Sequence, residues 1–205
     1  AFVLLFEFLG ALAFFLVWSG SMGAKTAAKY GIFHSISAFN NAGFDLFGNF
    51  GSLSAYSGNA VVNVTIIMLT IIGGIGFIVM NELLHKIRRK RYRLSLHTRV
   101  VLLASVVLLL LGAASLFALE ATNDNTLGSL SLKDKVLASW LHSATARTSG
   151  FATISFADFR VITLIVLGAL MFIGSSPGGT GGGVKTTTMA VAMQTLISFV
   201  KGKTD

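Results

Sequence analysis

The stretch Ser35-Ile-Ser-Ala-Phe-Asn-Asn-Ala-Gly-Phe44 returns about 107 residues later as Ser143-Ala-Thr-Ala-Arg-Thr-Ser-Gly-Phe151, and this recurrence constrains the chain more than any other feature. With a one-residue gap, Ser35–Ala38 matches Ser143–Ala146, and Asn41–Phe44 matches Thr148–Phe151. Each copy is a small-residue run that closes in a glycine-containing turn. Apolar segments long enough to cross a bilayer flank both copies, so one structural unit is used twice and its turn lies at membrane depth. Lipid cannot satisfy bare peptide groups, so irregular backbone at that depth has to line a cavity or be buried in protein.

Composition agrees with a membrane setting, since 54% of the 205 residues are hydrophobic and 12% are charged. The chain has no cysteine, which excludes disulfides and thiolate metal sites, and its four histidines lack ligand spacing. A net charge of +8 would suggest nucleic acid in a soluble domain, but seven of the sixteen basic residues cluster between Lys86 and Arg99. A cluster between two apolar segments follows the positive-inside rule instead, and it places residues 85–99 in the cytoplasm, with no nucleic-acid partner. The opening Ala1–Trp18 lacks an initiator methionine, a basic n-region and a cleavage motif. It reads as a membrane helix inside a longer protein rather than a signal peptide.

The hydrophobic pattern predicts an all-α polytopic membrane protein built from two helix/pore-loop/helix repeats, with its last helix broken by a glycine-rich loop. The first unit covers 1–84, the basic loop 85–99 and the second unit 100–205. Phe2–Trp18 is the first span, interrupted by Glu7, and Gly20–Gly23 ends it. Lys25–Phe39 is about 22 Å long as a helix, too short for a hydrocarbon core of about 30 Å. Entering from outside, such a helix stops near mid-membrane with the negative end of its dipole facing the turn that follows. Gly48–Gly58 reads as a surface connection. Asn59–Leu84 follows as a tilted span, and its Gly73-Gly-Ile-Gly76 run suits either a bend or close packing, packing being the expected role. Val100–Leu119 is the clearest span, Glu120–Asp134 lies outside, and Leu132–Ala146 is the second short helix. Val161–Ile173 and Met189–Val200 are each too short to span, and Pro177 with six glycines keeps Gly174–Gly183 from being helical.

A cation stripped of water needs carbonyl oxygens held in place by short, non-spanning helices. The turns that offer them are Asn41, Ala42 and Gly43 in one copy and Thr148, Ser149 and Gly150 in the other. The ion ligands fall to Asn41, Gly43, Thr148 and Gly150, and Gly43 supplies dihedrals that a side chain resists. Asp45 either concentrates cations at the outer mouth or is a solvated loop residue. Arg147 would repel a cation if it faced the path, so it must point away and brace the turn from behind, donating to carbonyls or a carboxylate. His34 and His142 have hydrogen-bonding or packing roles rather than metal ligation. The glycine loop is not a phosphate loop: Gly178 and Gly183 satisfy G-x-x-x-x-G, but Val184 stands where that motif needs lysine and Lys185 comes one residue late. A helix broken at membrane depth is the signature of a transporter site or gate. No carboxylate pair, nucleophile with base, or metal cluster marks an enzyme.

Together these residues resemble the Trk/Ktr/HKT superfamily of potassium transporters, and most nearly its Ktr-type membrane subunit, whose filters read like Asn-Asn-Ala-Gly-Phe and Ala-Arg-Thr-Ala-Gly-Phe. Ser176-Pro-Gly-Gly-Thr-Gly-Gly-Gly-Val-Lys-Thr-Thr-Thr188 is similar to that family's intramembrane glycine-rich loop. The resemblance implies K+ as the transported ion, with Na+ as a second ion, and a plasma-membrane location. It makes Ser175, Ser176, Pro177, Gly178, Gly179, Thr180, Gly181, Gly182 and Gly183 the gating loop, held by Lys185, with Arg147, Phe44 and Phe151 supporting the filter. It further implies that the chain corresponds to the second and third of four units, that the complete protein is a homodimer, and that a cytoplasmic nucleotide-binding subunit regulates it. The alternative is a non-conducting membrane subunit that anchors a larger complex.

Overall fold

The computed structural model describes residues 2–48, 51–89 and 91–202. Ala1, Asn49, Phe50, Lys90 and residues 203–205, which fall within the segments drawn above, lie outside the described residues. The described chain is helical: α1 (Phe2–Met22), α2 (Ala24–Phe39), α3 (Ala60–Gly74), α4 (Phe77–Arg88), α5 (Leu96–Glu120), α6 (Leu132–Ala146), α7 (Val161–Phe172) and α8 (Thr186–Val200). Its one strand-like pairing is an isolated bridge between Ile173 and Val184. α1 and α5, with 21 and 25 residues, are long and apolar enough to cross a membrane, and α3 with α4 would make a third span if the pair were straight.

Several boundaries differ from the sequence expectation, α8 for one starting at Thr186 and not Met189, and three of the differences have a plain local cause. α1 runs through Gly20 to Met22 and stops only at Gly23, whose φ of +77° no helix accommodates. α5 begins at Leu96, because the Ser95 hydroxyl accepts the Thr98 amide at 3.2 Å and caps the helix one turn early. The largest departure lies in 59–84, which is not one span: the chain bends by 101° between α3 and α4. Gly76, at φ +89°, makes that bend, while Gly73 three residues earlier makes the close contact. The glycine run therefore serves both roles, close contact at Gly73 and both the bend and a close contact at Gly76.

The usual ordering of a soluble core is inverted. Leu4, Phe8, Leu16, Leu103 and Ile165 face outward, each at least 63% exposed, as lipid requires. The polar Ser35, Asn63, Thr70, Ser143, Thr145 and Ser149 are buried. A satellite of aromatic rings anchors the first half, with Phe14 stacked on Trp18 at 4.9 Å and Leu53, Ile66 and Phe151 packed around them. This core joins the halves, because Phe151 follows the second turn yet packs among residues of the first.

Candidate functional site

The site forms where α2 and α6 stop. Both are short, at 16 and 15 residues, or about 22–24 Å. Each is fastened to the preceding long helix by the same device. Ser35 donates its hydroxyl to the Glu7 carbonyl at 2.6 Å, and Ser143 donates to the Leu109 carbonyl at 2.8 Å. Glycine makes each approach possible, since a Cβ on Gly10 or on Gly112 would fall on the corresponding serine oxygen.

Matching bonds then shape the two turns. Ala42 N–H returns to the Ser37 carbonyl at 2.9 Å, and Ser149 N–H to the Thr145 carbonyl at 2.9 Å. The same two residues also clamp the far side of each turn, Ser37 donating to the Phe44 carbonyl at 2.8 Å and Thr145 to that of Phe151 at 2.7 Å. His34 Nε2 accepts the Leu46 amide at 3.3 Å, and His142 Nε2 accepts those of Thr153 and Ile154 at 3.4 and 3.3 Å. An accepting Nε2 leaves the His34 proton on Nδ1, which lies 2.7 Å from the Tyr30 carbonyl. Both histidines thus tie down the exit strand. No group of three His, Cys, Asp or Glu residues suits a metal ion among the described residues.

Backbone sign alternates identically in the two turns. Asn41 and Gly43 have φ of +54° and +68°, Thr148 and Gly150 have +90° and +85°, and Ala42 and Ser149 between them are not in the left-handed region. For a β-branched threonine this is a genuine outlier, held by the surrounding bonds, and such outliers gather at functional sites. The turns also touch. A Cβ on Gly43 would land on the Ser149 carbonyl oxygen and 3.2 Å from Gly150 Cα, so glycine is required there for space as well as for dihedral. Thr70 of α3 reaches the Ser149 hydroxyl at 3.2 Å, and Asn41 Nδ2 reaches the Thr70 carbonyl at 3.3 Å.

The glycine-rich segment lies against these turns and fills the break in α3–α4. A 101° bend strips the Gly73 and Gly74 carbonyls and the Phe77 amide of helical partners. The loop supplies all three: Thr180 N–H to Gly73 O at 3.1 Å, Ser176 N–H to Gly74 O at 3.0 Å, and Phe77 N–H to Gly178 O at 3.2 Å. Thr180 continues to the turn, donating its hydroxyl to the Phe39 carbonyl at 2.9 Å and accepting from Asn41 Nδ2 at 2.8 Å. Gly181 lies so near Thr148 that a Cβ there would strike Thr148 Oγ1. Lys185 Nζ closes the loop from within, on the Gly181 carbonyl at 2.8 Å and the Ser175 hydroxyl at 3.2 Å, and that hydroxyl itself donates to Gly181 O.

The remaining sequence candidates fall around this centre. Arg147 lies beside the second turn and extends to the loop, where Nη2 donates to the Gly174 carbonyl at 3.2 Å. It shares a small cavity with Asn41, Thr70, Ser105 and Ser175. Asp45 is occupied locally, accepting the Phe47 and Gly48 amides at 2.9 and 3.3 Å. Phe44 and Phe151 part company: the first is 69% exposed and the second is fully buried. Glu7 Oε1 accepts from Asn40 Nδ2 at 3.0 Å. Sequence reasoning missed the fastening residues. Ser35, Ser37, Ser143 and Thr145 sit inside the repeated stretch and could have been found by aligning it, whereas Gly10 and Gly112 lie outside it and Thr70 has no sequence signal.

Long apolar helices, shorter helices that stop inside the molecule, and polar turns buried between them define an all-α polytopic membrane protein. Comparison with known proteins carries the assignment further: the chain belongs to the family described as "TrkH: Cation transport protein", whose model matches residues 1–205. It is 38% identical over 202 residues to the Ktr system potassium uptake protein B of Vibrio alginolyticus, covering 98% of this chain and 44% of that protein. It is also 34% identical over 203 residues to the potassium/sodium uptake protein NtpJ of Enterococcus hirae, covering 99% and 44% respectively. The fold is similar to that of the potassium transporter TrkH from Vibrio parahaemolyticus, with a TM-score of 0.74 at 22% identity over 98% of this chain and 41% of that one. The chain thus spans less than half the length of these relatives.

Proposed function

We propose that this chain is part of a potassium transporter of the plasma membrane, with Asn41–Gly43 and Thr148–Gly150 forming two adjacent sides of a carbonyl-lined filter and Ser175–Gly183 forming a gate below it. The observation that carries the reading is the pair of touching turns with the same alternation of φ and the same serine or threonine clamp. A chain whose φ alternates in sign can turn successive carbonyls to one side, as dehydration of a cation requires. The names of the relatives, potassium uptake and potassium/sodium uptake, support K+ as the ion and Na+ as a second one.

In this reading residues 1–84 and 100–205 are two helix/pore-loop/helix units, and the basic loop 85–99 faces the cytoplasm. The full pore needs two further units of the same protein, here the first and fourth, and it works as a homodimer under a cytoplasmic nucleotide-binding subunit. Arg147 braces the second turn from the loop side, Phe151 supports the turn before it from the core while Phe44 does so through its backbone carbonyl, and Lys185 holds the gate. The test is ion flux into liposomes that contain the full-length protein. Gly43→Ala and Gly150→Ala should each weaken the preference for K+ over Na+, and more strongly at Gly43, where the Cβ has no room. Unchanged selectivity in both folded variants refutes the filter assignment, and no flux from the unaltered protein favours the non-conducting anchor.

A further inference from the structure

We propose that the basic hairpin joining α4 to α5 is a docking surface for anionic lipid headgroups. The bend of 101° at Gly76 turns α4 across the direction of α3, so α4 does not prolong that apolar segment but carries the chain towards its charged end as an amphipathic helix, the kind that lies along a bilayer surface. α4 has the composition of such a helix. Val79 is its one buried residue, Phe77 and Ile87 are 71% and 78% exposed, and its last turn carries His85, Lys86 and Arg88.

The chain beyond α4 is folded back rather than loose. The rings of His85 and Tyr92 stack at 5.7 Å, Lys86 Nζ donates to the Tyr92 carbonyl at 2.9 Å, and Glu82 Oε2 accepts the Ser95 amide at 2.9 Å. This leaves Arg88, Arg89, Arg91, Arg93 and Arg99 exposed on one hairpin. Between Phe77 and Arg99 the only carboxylate is Glu82, already engaged, against seven basic residues. Ile87 and Leu96, 78% and 77% exposed, lie among the arginines. That mixture favours a bilayer surface over an acidic protein: guanidinium forks grip phosphodiesters in pairs, while the aliphatic chains enter the acyl boundary. Each basic side chain near an anionic surface contributes about a fivefold gain in partitioning.

Purified full-length protein in mild detergent should bind fluorescent phosphatidylglycerol in preference to phosphatidylcholine, with an affinity that falls as salt is raised. The variant R88Q/R89Q/R91Q/R93Q should lose at least about tenfold of that affinity. The variant K25Q/K29Q, which removes exposed charge from α2 instead, should keep it. The proposal is overturned if the quadruple variant binds phosphatidylglycerol as tightly as the unaltered protein, or if K25Q/K29Q loses as much. Full displacement of the lipid by millimolar inorganic phosphate would make free phosphate the ligand and overturn it too. So would equal binding of the two lipids at low salt combined with hairpin-dependent capture of an acidic protein. The salt titration needs no substitution, so a misfolded variant does not shelter the idea. Ion flux enters none of these readouts, and failure here leaves the proposed transport untouched.

Discussion

Thr180→Val tests the link between the loop and the proposed filter most directly, because it deletes one hydroxyl and keeps the shape. That hydroxyl makes two bonds, to the Phe39 carbonyl at 2.9 Å and from Asn41 Nδ2 at 2.8 Å. Asn41 keeps weaker contacts to the Thr70 and Phe39 carbonyls at 3.3 and 3.4 Å, so the loss on its side is partly compensated. At about 0.5–1.5 kcal/mol for each hydrogen bond, the docked loop loses about 1–3 kcal/mol. With a factor of ten for every 1.4 kcal/mol, the docked-to-undocked ratio falls by about 5-fold to 150-fold. If docking blocks the path, K+ influx into liposomes rises by up to that factor while the docked state still dominates. Thr180→Ser retains the hydroxyl and should restore most of the original rate. A folded Thr180→Val protein with unchanged or lower influx, or a Thr180→Ser protein that leaks equally, would refute the reasoning.

Three further outcomes follow from the packing. Gly73→Ala places a methyl group on the Phe39 carbonyl and should lower stability by about 1–3 kcal/mol, seen as a drop in thermal midpoint in detergent, while Gly20→Ala, which lies in α1 and meets nothing within 4 Å, should not lower it. Ser35→Ala and Ser143→Ala should each cost about 1 kcal/mol and should add in the double variant, because the two bonds sit in separate halves; strong non-additivity in denaturant unfolding would contradict that independence. Glu120 is fully buried and accepts from Asn123 at 2.6 Å, Thr126 at 2.7 Å, the Arg160 amide at 3.0 Å and the Thr163 hydroxyl, so Glu120→Gln, which puts a donor among donors, should cost at least about 2 kcal/mol of thermal stability.

The helices were legible in the sequence because lipid forces a long apolar run to be helical, and the short helices were legible because their length falls below the bilayer. α6 begins and ends where the pattern placed it, at Leu132 and Ala146. The bend at Gly76 was not legible, since glycine licenses both a bend and a close contact and only the neighbour decides between them. That neighbour is the loop more than one hundred residues away, whose Pro177 carbonyl would lie 2.5 Å from a Cβ on Gly76. Thr180 belongs to the proposed gate by its place in a pattern, and nothing in the sequence tells that its hydroxyl bridges Phe39 and Asn41. Asp45 had two open readings at the sequence level, and its bonds to the Phe47 and Gly48 amides favour the local one.

The bend and the loop also limit how such a gate can move. While docked, the loop satisfies the Gly73 and Gly74 carbonyls and the Phe77 amide, which the bend has deprived of helical partners. A loop that left this seat would strand all three at membrane depth, each at a cost of several kcal/mol if the surroundings stayed dry. It would also free its own Ser176, Gly178 and Thr180 backbone groups. Six unsatisfied groups exceed what a marginally stable protein tolerates, so undocking requires water in the vacated space or a straightened α3–α4 that restores its own bonds. If the loop is the gate proposed above, its release and the wetting of the space it leaves are then one event.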